Sequence, residues 1–450
     1  VKEEMEDSVL PVKNKTMEIQ QIYARFLESS GISTDSRKIS KNSIFFALKG
    51  DTFDGNEFAS DALKDGAAFA VVDNQKLPVD SRFIFVDDAL KTLQELASFH
   101  RSRLTIPVIG LTGTNGKTTT KELISAVLAK KFRVCNTAGN FNNHIGVPLT
   151  LLGIKDDAEI AVIEMGASSP GEIALLTSIV KPDYGLITNV GKAHLLGFGS
   201  FEGVKKTKGE LYDFLQKSGG TAFLNKDNEI LCEMAKQREG LKTIDYGFKT
   251  EGYSAKPATS GNPFFTLKTP GKRVIKSHLI GNYNADNIIA ALKIAYHFGI
   301  SPEEAALAIE SYIPSNNRSQ LIKGVLNTLI VDAYNANPSS MKVSLENFAN
   351  MNAAKKALII GDMLELGEDS GKEHRLVLDY IERLNPEKIF FVGKEFGREA
   401  INNEYFRQKG KFFETSDELR DYLLEEPVKG YTILIKGSRG TRLERSIDAL

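Results

Sequence analysis

The eight residues Thr112-Gly113-Thr114-Asn115-Gly116-Lys117-Thr118-Thr119 carry the strongest chemical signal in this sequence. Glycines among threonines let successive backbone N–H groups turn inward, and a helix starting near Lys117 would add its own N-terminal N–H groups. Together these form a cradle for phosphate anions. Lys117 is suited to the outer phosphates of a nucleotide, and the Thr118 hydroxyl to the magnesium that travels with them. Leu111 stands where the general phosphate-loop pattern has its first glycine. A ligand-free strand-to-helix turn could use the same small residues, but packing gives no reason for a lysine directly before two threonines. A guanine reader would need Asn-Lys-x-Asp. Here Asn225-Lys226-Asp227-Asn228 has its aspartate one place early, so adenine is the expected base.

Other candidates follow from residue type and place. Glu164 closes an apolar run in Ile163-Glu164-Met165-Gly166-Ala167, where a carboxylate could hold a hard divalent cation beside phosphates; glutamates at strand ends are as often merely exposed. His194 follows another apolar run, so its imidazole could reach the same crevice, although a lone loop histidine usually has a structural or solvent-facing place. Lys208, within Lys205-Lys206-Thr207-Lys208-Gly209-Glu210, reads by itself as one more charge on a solvated helix. Asn140, Asn142 and Asn143 read by themselves as a turn. Cys135 and Cys232 have neither disulfide-framework nor metal-ligand spacing.

The elements that must position these groups are legible in outline. The segment IPVIGLTGTNGKTTTKELISAVLAKK passes from a β-branched run through the glycine turn into a helical pattern. Further apolar runs at EIAVIEMGA and DYGLITNVG, alternating with helical stretches, predict a mostly parallel sheet covered on both faces. Residues 250–280 suggest short antiparallel strands, followed by a long helix through GNYNADNIIAALKIAYHFG entered by an Asn-rich cap. Four runs, NTLIVDAY, KALIIGDM, KIFFVG and YTILIKGS, predict a Rossmann-like C-terminal domain. The expected division is 17–104, 105–314 and 315–450, preceded by a disordered extension over 1–16, with Met17 an alternative translation start.

A chain of 450 residues is too long for one core, which agrees with three domains. Net charge is only −1, so clustered basic residues of the kind that neutralise nucleic-acid phosphates are not expected. No run reaches the ~18–20 apolar residues of a membrane span. A cytoplasmic monomer is the expectation.

Taken together, the phosphate loop, Gly139-Asn140-Phe141-Asn142-Asn143-His144-Ile145-Gly146-Val147-Pro148, and the segments around Glu164, His194 and Lys208 resemble the motifs of the Mur ligase family. The resemblance runs from about residue 31 to 440. It implies an α/β chain of three domains: a small UDP-sugar-binding domain, a central phosphate-loop domain and a C-terminal Rossmann-like domain. It further implies an ATP-dependent, magnesium-dependent ligase. Thr118 and Glu164 would ligate magnesium, His194 a second magnesium, and Lys208 would react with carbon dioxide to give a carbamate whose oxygens contact the metal. Asn140, Asn142 and Asn143 would lie beside the nucleotide and the reacting carboxylate. Asn284 and Asn287 match the adenine-side pattern GxHNxxN, with Tyr283 in place of the histidine. Arg318 and Asp332 would contact phosphate and ribose, with Asn317 where glycine is usual.

The same resemblance bears on substrates. Thr34-Asp35-Ser36-Arg37 and Gly50-Asp51-Thr52-Phe53-Asp54-Gly55 are similar to loops that bind UDP-muramoyl groups, implying contacts from Ser36, Arg37, Asp54 and Gly55. The segments 332–340, 361–367 and 436–440 look like those of the member that adds D-alanyl-D-alanine to UDP-N-acetylmuramoyl-tripeptide. Tyr334, Asn335, Asn337, Ser438 and Arg439 would then bind substrate. The Asp-Asn-Pro-Arg motif expected of a diaminopimelate- or lysine-adding ligase is absent. Alternatives are another Mur-type or folylpolyglutamate-type ligase, or a non-catalytic ATP-dependent switch that binds cell-wall precursors; turnover separates them.

Overall fold

The structure, a computed structural model, describes residues 16–78, 80–256, 263–314 and 318–450. The expected disorder of 1–16 falls, apart from Thr16, outside the described residues, as does Asn317. Two compact units are present: one holds the chain up to Ile106 with Phe141–Asp156 and Ser178–Lys181, the other Pro107–Asn140, Asp157–Thr177 and Pro182–Leu450.

In the first unit, short apolar runs form a parallel four-stranded sheet in the order Ile32–Ser33, Ile44–Phe46, Phe69–Val72, Phe83–Phe85. Asp88 starts the helix Ala89–Arg101 by accepting from the Lys91 N–H, and Leu93, Leu96 and Ala97 then fall on its buried face. Arg101 ends that helix pointing inward. Its guanidinium donates to the carbonyls of Leu104, Val180 and Lys181 at 2.9–3.1 Å, which ties the returning segment 178–181 into this unit.

The second unit contains two large sheets. The first is parallel, in the order Lys242–Tyr246, Thr221–Asn225, Tyr184–Ile187, Val108–Thr112, Ile160–Glu164, Val134–Asn136. Strands later in sequence lie on both sides of Val108–Thr112, and such a reversal opens a crevice at the carboxyl ends. Leu111 pairs with Glu164 and Thr112 with Ile187, so three connections leave the sheet at one level beside the phosphate loop. Helix Lys117–Leu128 buries Leu123, Ile124, Val127 and Leu128 in a core with Ile288, Ile289 and Leu292 of helix Asn284–His297. Each such side chain contributes roughly 1.5–3 kcal/mol when buried. The antiparallel strands expected over 250–280 are Ser254–Lys256, Phe264–Lys268 and Val274–Ile280.

The second large sheet has the order Gln320–Lys323, Thr328–Asp332, Thr432–Lys436, Lys356–Gly361, Lys388–Val392, Gly410–Phe413. Its four inner strands are the four expected apolar runs, all parallel. Both edge strands were unanticipated. Gln320–Lys323 pairs antiparallel, and it and Gly410–Phe413 are short and largely uncovered, so neither needs a continuous apolar run. The fold class is therefore α/β with three sheet-centred regions, as the sequence indicates.

Candidate active site

Strand Val108–Thr112 is buried throughout, and the chain turns sharply after it. Gly113 has φ 147°, and a Cβ there would lie 2.0 Å from Thr188 Oγ1, so only glycine fits. Residues after Ile187 lock the turn. Thr188 Oγ1 and Asn189 Nδ2 donate to the Asn115 carbonyl at 2.7 and 2.9 Å, while Asn189 Oδ1 accepts from Asn115 N at 3.0 Å. Thr114 Oγ1 accepts from Gly191 N at 2.9 Å. A loop held this firmly keeps its remaining N–H groups aimed without reorganisation, which favours anion binding.

Lys117 Nζ donates to the Gly113 and Thr114 carbonyls at 2.8 and 3.2 Å. Burial lowers the pKa of its amine, opposed by Glu164 and reinforced by Arg318. The buried Thr118 hydroxyl donates to Glu164 Oε2 at 2.9 Å. Glu164 is 1% exposed, so the reading of a merely surface glutamate is ruled out. Its backbone N–H donates to Thr137 Oγ1 at 2.9 Å, and the Thr137 carbonyl accepts from Lys121 Nζ at 2.6 Å. Lys121, one helical turn beyond Lys117, is 2% exposed and was not singled out in the sequence; its i+4 spacing was the available signal.

Asn284 and Asn287 are buried where their helix meets the phosphate-loop helix. Asn287 Oδ1 accepts from Thr120 Oγ1 at 2.9 Å, Asn287 Nδ2 donates to Asn284 Oδ1 at 3.0 Å, and Asn284 Nδ2 donates to Ile280 O at 2.8 Å. Tyr283 forms a hydrogen bond with Ser319 Oγ, and burial raises the pKa of its hydroxyl.

Lys208 departs most from its plain reading as a solvated charge. It is 2% exposed on helix Phe201–Ser218, with Nζ 3.5 Å from the Ala167 carbonyl and 5.5 Å from the Phe198 ring centroid. Burial, then repulsion from Lys117, pulls its pKa down to about 7. The two nearby carboxylates that oppose this shift are engaged elsewhere: Glu172 accepts from Ser168 N and Ser169 N, Glu210 from Gly171 N and Ala174 N. His194 is half-buried and hydrogen-bonded through Nδ1 to the Glu365 carboxylate. Burial lowers the pKa of its imidazole; Glu365 opposes that, and Lys117 and Lys208 add to it, so the neutral ring is favoured at neutral pH. Among the described residues no three His, Cys, Asp or Glu side chains converge as a metal cluster. The donor set is instead a hydroxyl, a buried carboxylate and a neutral imidazole. That set fits magnesium in part, because this cation takes one or two protein carboxylates and fills its octahedron with phosphate and water oxygens.

The C-terminal segment reaches this loop. Asn337 Nδ2 donates to Asn115 Oδ1 at 2.8 Å, while its Oδ1 accepts from Ser340 N at 2.9 Å and starts helix Pro338–Asn350. Lys192 N donates to Ser339 Oγ at 3.2 Å and Lys192 Nζ to Glu373 at 2.6 Å. Asp332 pairs with the buried Lys436 at 2.6 Å and accepts from Ser344 Oγ at 2.9 Å. The Arg318 guanidinium stacks 3.6 Å from the Tyr334 ring centroid, and Arg439 Nη1 lies 3.4 Å from the Tyr334 hydroxyl. Asn335 Oδ1 accepts from Ala336 N, and Ser438 Oγ accepts from Leu364 N at 3.0 Å.

In the first unit, Arg37 is exposed and paired with Asp35 at 2.8 Å, which lowers the Asp35 pKa to about 2. Ser36, beside it, is partly exposed. Asp54 Oδ1 accepts from Asn56 N at 2.9 Å, and a Cβ on Gly55 would meet the Leu48 carbonyl at 2.4 Å. Asn142 is partly exposed and Asn143 Oδ1 accepts from Gly146 N at 2.8 Å, just before helix Gly146–Leu152, while Asn140, in the second unit, is exposed.

Residues 28–101 match the Mur ligase family catalytic domain, 111–295 the Mur ligase middle domain, and 317–439 the Mur ligase glutamate ligase domain. A UDP-N-acetylmuramoyl-tripeptide–D-alanyl-D-alanine ligase of Bacillus subtilis is 36% identical over 429 residues, which cover 93% of each chain. The crystal structure of MurF from Acinetobacter baumannii superimposes with TM-score 0.82 at 29% identity, covering 97% of this chain and 99% of that one. MurF ligase from Thermotoga maritima, solved in complex with ADP, gives TM-score 0.81 at 26% identity over 94% and 97%.

Proposed function

Because the chain belongs to the Mur ligase family, we propose that it joins D-alanyl-D-alanine to UDP-N-acetylmuramoyl-tripeptide with consumption of ATP, giving the pentapeptide precursor of peptidoglycan. Domains 17–104, 105–314 and 315–450 would hold the UDP-sugar end, ATP and the acceptor dipeptide respectively, in a monomer that works in the cytoplasm. The observation that carries this reading is the locked phosphate loop, with Thr118 against the buried Glu164 on one side and Asn337 of the C-terminal segment on the other.

In this mechanism a carboxylate oxygen of the tripeptide attacks the γ-phosphorus of ATP, and ADP leaves. Lys117 and the loop N–H groups stabilise the negative charge on the transferring phosphoryl oxygens. The D-alanyl-D-alanine amine then attacks the acyl carbon of the resulting acyl phosphate, inorganic phosphate leaves, and the nitrogen loses a proton to give the amide. Magnesium, held by Thr118, Glu164 and His194, would supply further charge neutralisation at the phosphates. Lys208 is suited to take up carbon dioxide, because an amine with a pKa of about 7 keeps the free lone pair that attacks carbon; loss of a proton would leave a carbamate anion, an oxygen donor of the kind magnesium takes. Arg318, Asp332, Asn284 and Asn287 would bind the nucleotide, and Ser36, Arg37, Asp54, Gly55, Asn140, Asn142 and Asn143 the UDP-muramoyl peptide. Tyr334, Asn335, Asn337, Ser438 and Arg439 would receive the dipeptide.

The test is phosphate release from ATP with magnesium and UDP-N-acetylmuramoyl-tripeptide, with and without D-alanyl-D-alanine. Release that depends on both, with the pentapeptide identified by mass, is expected. Nucleotide binding without such turnover, for both the lysine and the diaminopimelate tripeptide, would remove this reading.

A further inference from the structure

His194 has φ 50° at the start of the short helix Leu195–Phe198, a left-handed conformation that fixes its backbone but not its ring. The ring is gripped from elsewhere. Glu365, in the connection that follows strand Lys356–Gly361, hydrogen-bonds His194 Nδ1 through its carboxylate, and its carbonyl accepts from Leu196 N at 3.3 Å. Glu365 is itself left-handed at φ 64°, a conformation disfavoured for a non-glycine residue, so the surrounding structure must hold it there.

That surrounding structure is specific. Asp362 accepts from Glu395 N and Phe396 N at 2.9 and 3.0 Å, Met363 N donates to His374 Nε2 at 3.1 Å, and Leu364 N donates to Ser438 Oγ at 3.0 Å. Every residue from 362 to 364 is thus anchored, and the Glu365 carboxylate is delivered to the imidazole although its side chain is 59% exposed.

We propose that Glu365 is a positioning residue for His194: by accepting from Nδ1–H it selects the tautomer and the ring orientation that leave Nε2 free to donate to a metal ion. The proposal rests on the reading of His194 as a metal donor. A carboxylate bound to the far nitrogen of a histidine ligand both orients the ring and raises its basicity. Here that carboxylate comes from the C-terminal sheet, on a connection that also bonds Ser438. Metal affinity is therefore coupled to the arrangement of the loop expected to receive the dipeptide, and the coupling acts in both directions.

The full-length protein with ADP, titrated with Mn2+ and followed by electron paramagnetic resonance, tests this through His194→Ala, Glu365→Ala, Glu365→Gln and the double variant. Glu365→Ala is expected to weaken Mn2+ binding about 10-fold, in line with outer-shell carboxylates elsewhere. Glu365→Gln should lose less, since its carbonyl can still accept. In the His194→Ala background Glu365→Ala should add almost nothing. Equal losses with and without His194, or tighter Mn2+ binding by Glu365→Ala, would overturn the proposal; the latter would mean that the carboxylate competes with the metal. Unchanged Mn2+ affinity in His194→Ala would instead remove His194 as a donor and the proposal with it. Imidazole 15N shifts give a reading independent of metal: the Nδ1–H tautomer is expected, and Nε2–H would contradict it.

Discussion

An amine with a pKa of about 7, as at Lys208, is half deprotonated near neutral pH. Carbamate formation consumes the free amine and releases a proton, so at fixed dissolved carbon dioxide the modified fraction should rise with pH and should not level off at the pKa of the amine. Lys208→Ala is expected to lose most ligase activity and to recover part of it with formate or acetate, small carboxylates that can occupy the vacated space. Its rescued activity should lack the acid limb expected of the parent below pH 7. Rates at fixed dissolved carbon dioxide check both points, and a parent-like rate in Lys208→Ala would take the residue out of the reaction. The lysine was found through family resemblance, because the string around it, with four charges in six residues, looks solvated. Burial of Lys208 follows from helix Phe201–Ser218 facing inward at Val204, Thr207, Lys208 and Leu211, a stripe that the flanking lysines disguise. Glu164 was easier, since its apolar strand pointed at the same sheet edge as the phosphate loop.

Elements explain why those residues meet. The phosphate loop works because strand Val108–Thr112 lies between two strands, one ending in Glu164 and the other followed directly by Thr188 and Asn189. Gly113→Ala would set a methyl group 2.0 Å from Thr188 Oγ1 at a φ that alanine avoids. ADP affinity is expected to fall at least ~10-fold, about 1.4 kcal/mol of binding, measured by calorimetry. Retained affinity would mean that the loop can move away from Thr188 at little cost. The strand-loop-helix unit was legible because its apolar run, glycines and helical period agree. The edge strands Gln320–Lys323 and Gly410–Phe413 were not, since a strand with one neighbour and an open face needs few apolar residues.

For the whole molecule, the question is how the C-terminal sheet is joined to the nucleotide side. Among the described residues, the side-chain bridges that join them include Asn337 to Asn115, Lys192 to Glu373, and Glu365 to His194. None could be read from the sequence, because each joins positions more than 170 residues apart whose neighbourhoods carry no mutual signal. Asn337→Ala removes one bridge and the start of helix Pro338–Asn350, which should cost about 1 kcal/mol in stability. Turnover with saturating ATP should drop more than ADP affinity does, since the contact concerns the segment expected to receive the dipeptide. Stopped-flow phosphate release beside ADP titration would show it; an equal loss in both would assign Asn337 to nucleotide binding alone.

The near-contact between positions 113 and 188 also bears on descent. Thr188 holds Asn115 by the same hydroxyl that forbids a side chain at Gly113. A lineage that shortened Thr188 would give up one of the bonds on Asn115, leave the others to Asn189, and still keep position 113 at a φ of 147° beside the Thr188 backbone, where a side chain is strained. Gly113 is thus held to glycine by its own backbone as well as by its neighbour, so position 113 should stay fixed in descent even where position 188 changes.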